Sequence, residues 1–262
     1  MAKNDGNLWI TFLSCFYFFA FAFSITGNCF VLSLCYKRRG SSSLRWFIAN
    51  LAIADLTFAL LSILDIISFL WTWVGGQVTC KIQGFWIEAC YTTSIMTLVL
   101  ISFQRIKAVL HSFNARLSNA EGAKRKVVAL WIGSLVVCSP LLYACQVTLD
   151  LSGQIICTNK PFGYLGRQIY YSIHAVCFFI VPLMYMIYAQ TAVFLALIRS
   201  SRRVFATSYT NRHRKVAKTL AALTLAFIIC WSPFMIVRTL MYFHLLSEGL
   251  VWRASRLSFL LC

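Results

Sequence analysis

Acids are scarce in this sequence. Only 7 of its 262 residues are Asp or Glu, against 24 Lys and Arg, and charged residues of both signs make up 12%. A soluble domain carries roughly a quarter charged and about half apolar residues. Here 60% of the chain is hydrophobic and 16% aromatic, with a mean hydropathy of +0.75. That balance excludes a disordered protein, a collagen-like chain and an ordinary soluble enzyme. Internal repeats and low-complexity tracts are missing, and no asparagine stands in an N-x-S/T acceptor site. The motifs HExxH and GxSxG do not occur, and the four histidines, His111, His174, His213 and His244, are scattered. Without a metal-spaced set or a nucleophile beside a base, no enzymatic activity is expected. A cleavable signal peptide is not expected either, because the first apolar run is too long and lacks a small-residue cleavage site.

What the chain has is length in its apolar runs. A membrane-spanning helix needs about 20 mostly apolar residues, at about 1.5 Å of rise each. Runs of that kind lie at about 8–36, 44–71, 82–110, 127–146, 169–198 and 217–246. A seventh starts near Leu250 and reaches Cys262, a stretch of about 20 Å, too short to span. The expected architecture is an all-α membrane protein forming one domain over 1–262, with six complete helices and part of another.

The basic excess orients this bundle. Lys37, Arg38, Arg39 and Arg45 flank the first connection, Arg105 to Lys126 supply the third, and Arg199 to Lys218 fill the fifth. These connections hold 17 of the 24 cations, with Glu121 the only acid among them. By the positive-inside rule they are cytoplasmic and the N-terminus is outside. The net charge of +17 therefore reports orientation and contact with anionic lipid rather than nucleic acid. Most of the 11 cysteines lie in apolar helices, where thiols act as small hydrophobes. Cys80 and Cys157 fall in outer connections, where oxidation is allowed. A bridge between them would tie the third helix to the loop before the fifth, with Cys145 as the competing partner.

The order of motifs then becomes specific. Helix 1 carries Gly27-Asn28; helix 2 carries Asn50-Leu51-Ala52-Ile53-Ala54-Asp55-Leu56; Trp73 and Gly75 precede Cys80. Helix 3 ends in Ile101-Ser102-Phe103-Gln104-Arg105-Ile106, with Arg105 lying 25 residues after Cys80. Helix 4 has Trp131 and Pro140, helix 5 has Pro182, and helix 6 has Cys230-Trp231-Ser232-Pro233-Phe234. Over all six complete helices the chain resembles the rhodopsin-like (class A) G-protein-coupled receptors. The resemblance implies a seven-helix plasma-membrane receptor that answers an extracellular ligand by opening its cytoplasmic face to a heterotrimeric G protein. The length is short for that fold, which suggests truncation within helix 7.

The resemblance also implies roles. Asp55, with Asn28 and Ser94, matches the polar group that holds an allosteric sodium ion; a helix-packing cluster without an ion is the plainer reading. Arg105 matches the arginine that meets the G protein. Its usual acidic neighbour is replaced by Gln104, which offers only a neutral hydrogen bond, so elevated ligand-independent signalling is expected. Pro182, Ile95 and Phe227 match the core trio that links the ligand site to the cytoplasmic opening. Trp231 matches the pocket floor. Pro233, which removes a backbone hydrogen bond, is a plausible hinge. Gln190 stands where the family often has a tyrosine.

Ile87 occupies the position where amine receptors carry an aspartate, which disfavours a biogenic amine. Asp65 lies about 15 Å outward from Asp55 along helix 2, and Arg238 is two turns beyond Trp231. Ionisable residues inside membrane helices are functional candidates by default. Asp65, Glu88, His174 and Arg238, with Ile87, Trp231 and Phe234, would line an outward-facing pocket suited to a peptide with a basic residue or a small zwitterion. The alternative is that Asp65 or Glu88 simply pairs with Arg238 across the bundle. Rival functions are a small-molecule or chemosensory receptor of this fold, a non-signalling truncated form, and a transporter or channel. Transporters show pseudo-repeats and broken helices in both halves, and neither is evident here.

Overall fold

The structure, a computed structural model, describes residues 2–37, 43–110, 120–149 and 153–201, together with scattered helical positions between 221 and 239. The first three spans are α1 (Ala2–Lys37), α2 (Ser43–Leu70) and α3 (Gly76–Leu110). The fourth is α4 (Ala120–Cys138), followed by one short turn, α5 (Leu141–Ala144). The fifth span is α6 (Tyr164–Ala175), a π turn (Val176–Ile180) and α7 (Val181–Ser201) in unbroken succession. Four stretches of these helices, Ser14–Lys37, Ser43–Ser68, Gly76–Lys107 and Tyr164–Ala196, are long and apolar enough to cross a bilayer. The expected sixth span contributes only its scattered positions, and the partial seventh, 250–262, lies outside the described residues.

Helix boundaries follow local chemistry. The fourth helix was expected over 127–146; instead it begins seven residues earlier, at Ala120, and ends at Cys138. Its early start takes in Glu121, which suits the positive end of a helix dipole. Its end is set by Pro140, which has no N–H to donate and crowds the turn before it. Cys145 and Gln146 leave the helix, and the chain enters a two-stranded antiparallel hairpin, β1 (Gln146–Leu149) with β2 (Ile155–Thr158). Pro182 acts differently. It sits just beyond the π turn, whose wider register accommodates a ring that would otherwise press on the preceding turn.

α3 is the centre of the bundle. It packs against α2, α4 and α7, while α1 packs on α2. Its middle, Ala89 to Ile95, is buried on every side. Three apolar layers stack along it. The outer layer gathers Trp73, Cys80, Leu141, Ala144 and Cys145; the middle one Tyr91, Ile95, Leu98, Met186 and Met235; the inner one Phe47, Ile101 and Ala123. The exposed large side chains, Phe18, Phe19, Phe23 and Phe30 of α1 among them, cover the outside. That inversion of soluble-protein habit is what a bilayer solvent demands, since helices meet its tails without losing water.

Candidate functional site

The outer mouth is built from the hairpin and a disulfide. Cys80 at the start of α3 is bonded to Cys157 on β2, with Cα atoms 5.6 Å apart. Cys145, the competing partner, is a buried free thiol in the same layer. Gly84, one turn after Cys80, has no side chain because a Cβ there would lie 2.5 Å from the Cys145 sulfur. Trp73 locks the loop before α3: its indole N–H donates to the Gly76 carbonyl at 2.9 Å, and its backbone N–H to Ile155 at 2.9 Å. Gln77 accepts the Val147 backbone N–H at 2.8 Å, fixing the hairpin against α3.

Below the mouth, three spans meet at one carboxylate. Glu88 on α3 is only 7% exposed. Arg238, from the sixth span, donates from Nη2 to Glu88 Oε1 at 2.8 Å. His174, at the end of α6, brings Nδ1 to 3.3 Å from the same oxygen, although the contact lacks hydrogen-bond geometry. The other imidazole nitrogen, Nε2, lies 3.1 Å from Thr92 Oγ1. Aromatic rings enclose the set. Tyr91, Tyr170 and Phe178 lie 4.8–5.7 Å from the imidazole, and the Tyr171 ring lies 3.9 Å beneath the Arg238 guanidinium carbon. α3 reaches the sixth span a second time through the Tyr91 hydroxyl, 3.3 Å from Met235 sulfur. The geometry thus joins three of the four expected ionisable residues, and it adds Tyr91, Thr92 and Tyr171. Sequence reasoning missed these three because a tyrosine or threonine in an apolar helix reads as packing.

Asp65 belongs to a neighbouring cluster instead. It accepts a hydrogen bond from the Gln83 side chain, and one turn away Tyr17 of α1 and Ser62 of α2 share a hydrogen bond of 2.7 Å. Ile87, half-buried, precedes Glu88 on α3. Trp231, Phe234, Phe227 and Pro233 lie outside the described residues.

Two further polar sets lie deeper. Asn50 of α2 donates to Thr97 on α3 at 2.8 Å and accepts the Trp131 indole N–H of α4 at 2.8 Å, so one amide ties three spans. Asp55 accepts a hydrogen bond of 2.7 Å from Ser94. Asn28, expected beside them, donates instead to the Ser24 carbonyl one turn back on its own helix, at 2.9 Å. A carboxylate and a hydroxyl on facing helices are hard oxygen donors, so the pair fits a sodium ion in kind. Ile95 is fully buried and Pro182 buried, with Ile95 in the middle layer beside Met186. Towards the end of the bundle away from the hairpin, Gln190 of α7 donates to Thr224 of the sixth span at 3.0 Å. Gln104 and Arg105 sit half-buried on the last turns of α3.

Comparison with known proteins accords with this geometry. A family model described as 7 transmembrane receptor (rhodopsin family) matches residues 27–262. The chain is 27% identical to the Homo sapiens substance-K receptor over 223 residues, covering 80% of this chain and 55% of that protein. It is 28% identical to Mus musculus C-X-C chemokine receptor type 2 over 232 residues, covering 86% and 62%. To the Cavia porcellus substance-P receptor it is 27% identical over 236 residues, covering 84% and 56%. The chain therefore spans between 55% and 62% of the length of these relatives. A match over nearly the whole chain, on a bundle centred on α3 and closed by a bridge from α3 to the outer hairpin, decides the family: this chain belongs to the rhodopsin family of seven-transmembrane receptors.

Proposed function

We propose that the chain is the membrane core of a plasma-membrane receptor, N-terminus outside, that takes an extracellular peptide and passes its binding to a heterotrimeric G protein. The observation that carries this is the charged set Glu88–Arg238–His174, which joins α3, the fifth span and the sixth span in the outer half. A ligand that reaches it touches the helices whose separation opens the inner face. Energetically the response is a population shift, limited by the ligand's preference for the open arrangement. Relatives that include substance-K, substance-P and chemokine receptors favour a peptide. Ile87, in place of an amine receptor's aspartate, weighs against a biogenic amine. At the inner end Arg105 would meet the G protein, with Gln104 restraining it weakly. Asp55 and Ser94 would hold a sodium ion, which supplies positive charge to a carboxylate in the middle of the bundle.

The test is nucleotide exchange on a purified heterotrimeric G protein, with the full-length protein in lipid nanodiscs and with substance K and substance P as first probes. Exchange above that of empty nanodiscs, raised further by a peptide, is the expected result. Solute flux in liposomes with no nucleotide exchange would instead identify a transporter.

A further inference from the structure

Given a receptor whose ligand enters from outside, as proposed above, the chemistry around Glu88 narrows what that ligand carries. Consider the walls first. Glu88 and Tyr91 come from α3, and Tyr170, Tyr171 and His174 from α6. Only the cation comes from elsewhere. Arg238 reaches in from the sixth span, its guanidinium carbon 3.9 Å over the Tyr171 ring and its Nη2 2.8 Å from Glu88 Oε1. A flat face and a carboxylate edge are the two contacts by which proteins hold a guanidinium. An ammonium matches the second contact and stacks poorly on the first.

The imidazole adds an acceptor. Thr92 has one hydroxyl hydrogen, and it is directed to the Glu88 backbone carbonyl at 2.8 Å. Its oxygen then accepts from His174 Nε2–H at 3.1 Å. With the proton on Nε2, Nδ1 is a bare acceptor, buried and without a hydrogen-bond partner, facing Glu88 Oε1 at 3.3 Å. Glu88 Oε1 already accepts from Arg238, so the imidazole Nδ1 is the one acceptor of the pair that lacks a donor.

We propose that Glu88, Tyr171 and His174 form a guanidinium-binding site, that Arg238 is its internal occupant, and that the peptide ligand presents an arginine side chain that takes its place. The site survives the exchange, because none of its walls lies on the span that leaves. Glu88 stays compensated, whereas an anionic ligand that captured Arg238 would strand a buried carboxylate. Arg238, on a long stem in the outer half, swings towards water. Its departure frees the sixth span from α3, which is the movement the receptor reading requires. The incoming arginine must displace a tethered competitor, so the rest of the peptide has to supply contacts of its own.

The test uses methylguanidinium as a probe and the full chain in nanodiscs. In Arg238→Ala the occupant is removed, and low-millimolar methylguanidinium is expected to raise the thermal midpoint by about 4 °C. In Arg238→Ala with Glu88→Gln the rise should vanish, and methylammonium should give less than half of it. No rise, an equal rise in the double variant, or an equal rise with methylammonium overturns the site. Should Arg238→Ala not accumulate, methylguanidinium is added throughout purification. Recovery of folded protein that depends on Glu88 supports the site, and failure to recover it contradicts the site. Nucleotide exchange measured on the unmodified chain judges the receptor reading separately, so a guanidinium effect without exchange sinks that reading and leaves the site standing.

Discussion

Glu88 shows how one residue can be stabilised and poised at once. Removing one partner of a buried ion pair typically costs about 3–5 kcal/mol, because the survivor is left uncompensated. Glu88→Gln and Arg238→Met, taken singly, should therefore each lower the thermal midpoint strongly, while the two together should cost less than their sum. A double-mutant cycle by tryptophan fluorescence in nanodiscs checks this; strict additivity would mean that the 2.8 Å contact carries no coupling. Asn50 offers a second case. Its amide bonds Thr97 and Trp131 simultaneously, so Asn50→Ala leaves the Trp131 indole N–H without its acceptor and Thr97 Oγ1 without its donor, at about 1–3 kcal/mol each. Thr97→Val, which removes the bond from Asn50 and the bond to the Thr93 carbonyl but keeps the volume and the Trp131 contact, should destabilise less than Asn50→Ala in the same assay.

At the scale of elements, the fifth span is divided by its π turn into an outer half bearing His174 and an inner half bearing Gln190. The inner half is linked to the sixth span through the 3.0 Å bond from Gln190 to Thr224. A neutral bond of this kind contributes about 1 kcal/mol. Thr224→Val should therefore shift the closed arrangement towards the open one by about fivefold and raise basal nucleotide exchange accordingly. Unchanged basal exchange would show that this bond does not restrain the helices. The outer hairpin depends on its bridge. Cys157→Ser should cost about 2–5 kcal/mol, and the freed Cys80 should become labelled by thiol reagents.

Much at this scale was legible in advance. The first, second, third and fifth spans follow from apolar run length, and the position of the cysteines favoured Cys80–Cys157 while leaving Cys145 as a competitor. Burial of the middle of α3 on all sides was not legible. Its threonines look like a polar face until the hydroxyls of Thr92 and Thr97 are seen bonding back to the carbonyls of Glu88 and Thr93, four residues earlier. Nor was the hairpin read, although Val147, Thr148, Ile155 and Ile156 are strand formers around Ser152-Gly153, because Pro140 reads equally as a kink or a stop and the apolar run continues past it. The candidate site was half legible. Charges inside membrane helices stand out in any apolar sequence, but which acid meets Arg238 depends on helix rotation. That rotation separated Asp65 from Glu88 by giving Asp65 a partner in Gln83.

At the scale of the whole molecule, one central helix, α3, carries Glu88 near one end and Arg105 near the other, and the proposed function makes it the link between them. At the last turns of α3, Gln104 sits beside Arg105, where the proposed function expects a weak restraint. An aspartate there would hold the arginine through a charge-assisted bond, roughly twice as strong as a neutral one. Gln104→Asp should therefore lower ligand-independent signalling, read as basal second messenger in cells. A basal level equal to empty vector, untouched by the substitution, would remove the idea. The most direct measurement of the central claim is nucleotide exchange on a purified heterotrimeric G protein by the full-length receptor in nanodiscs. The expected result is exchange above empty nanodiscs that rises in the presence of an activating peptide and falls with Gln104→Asp. Exchange indistinguishable from empty nanodiscs across all these conditions would contradict the account.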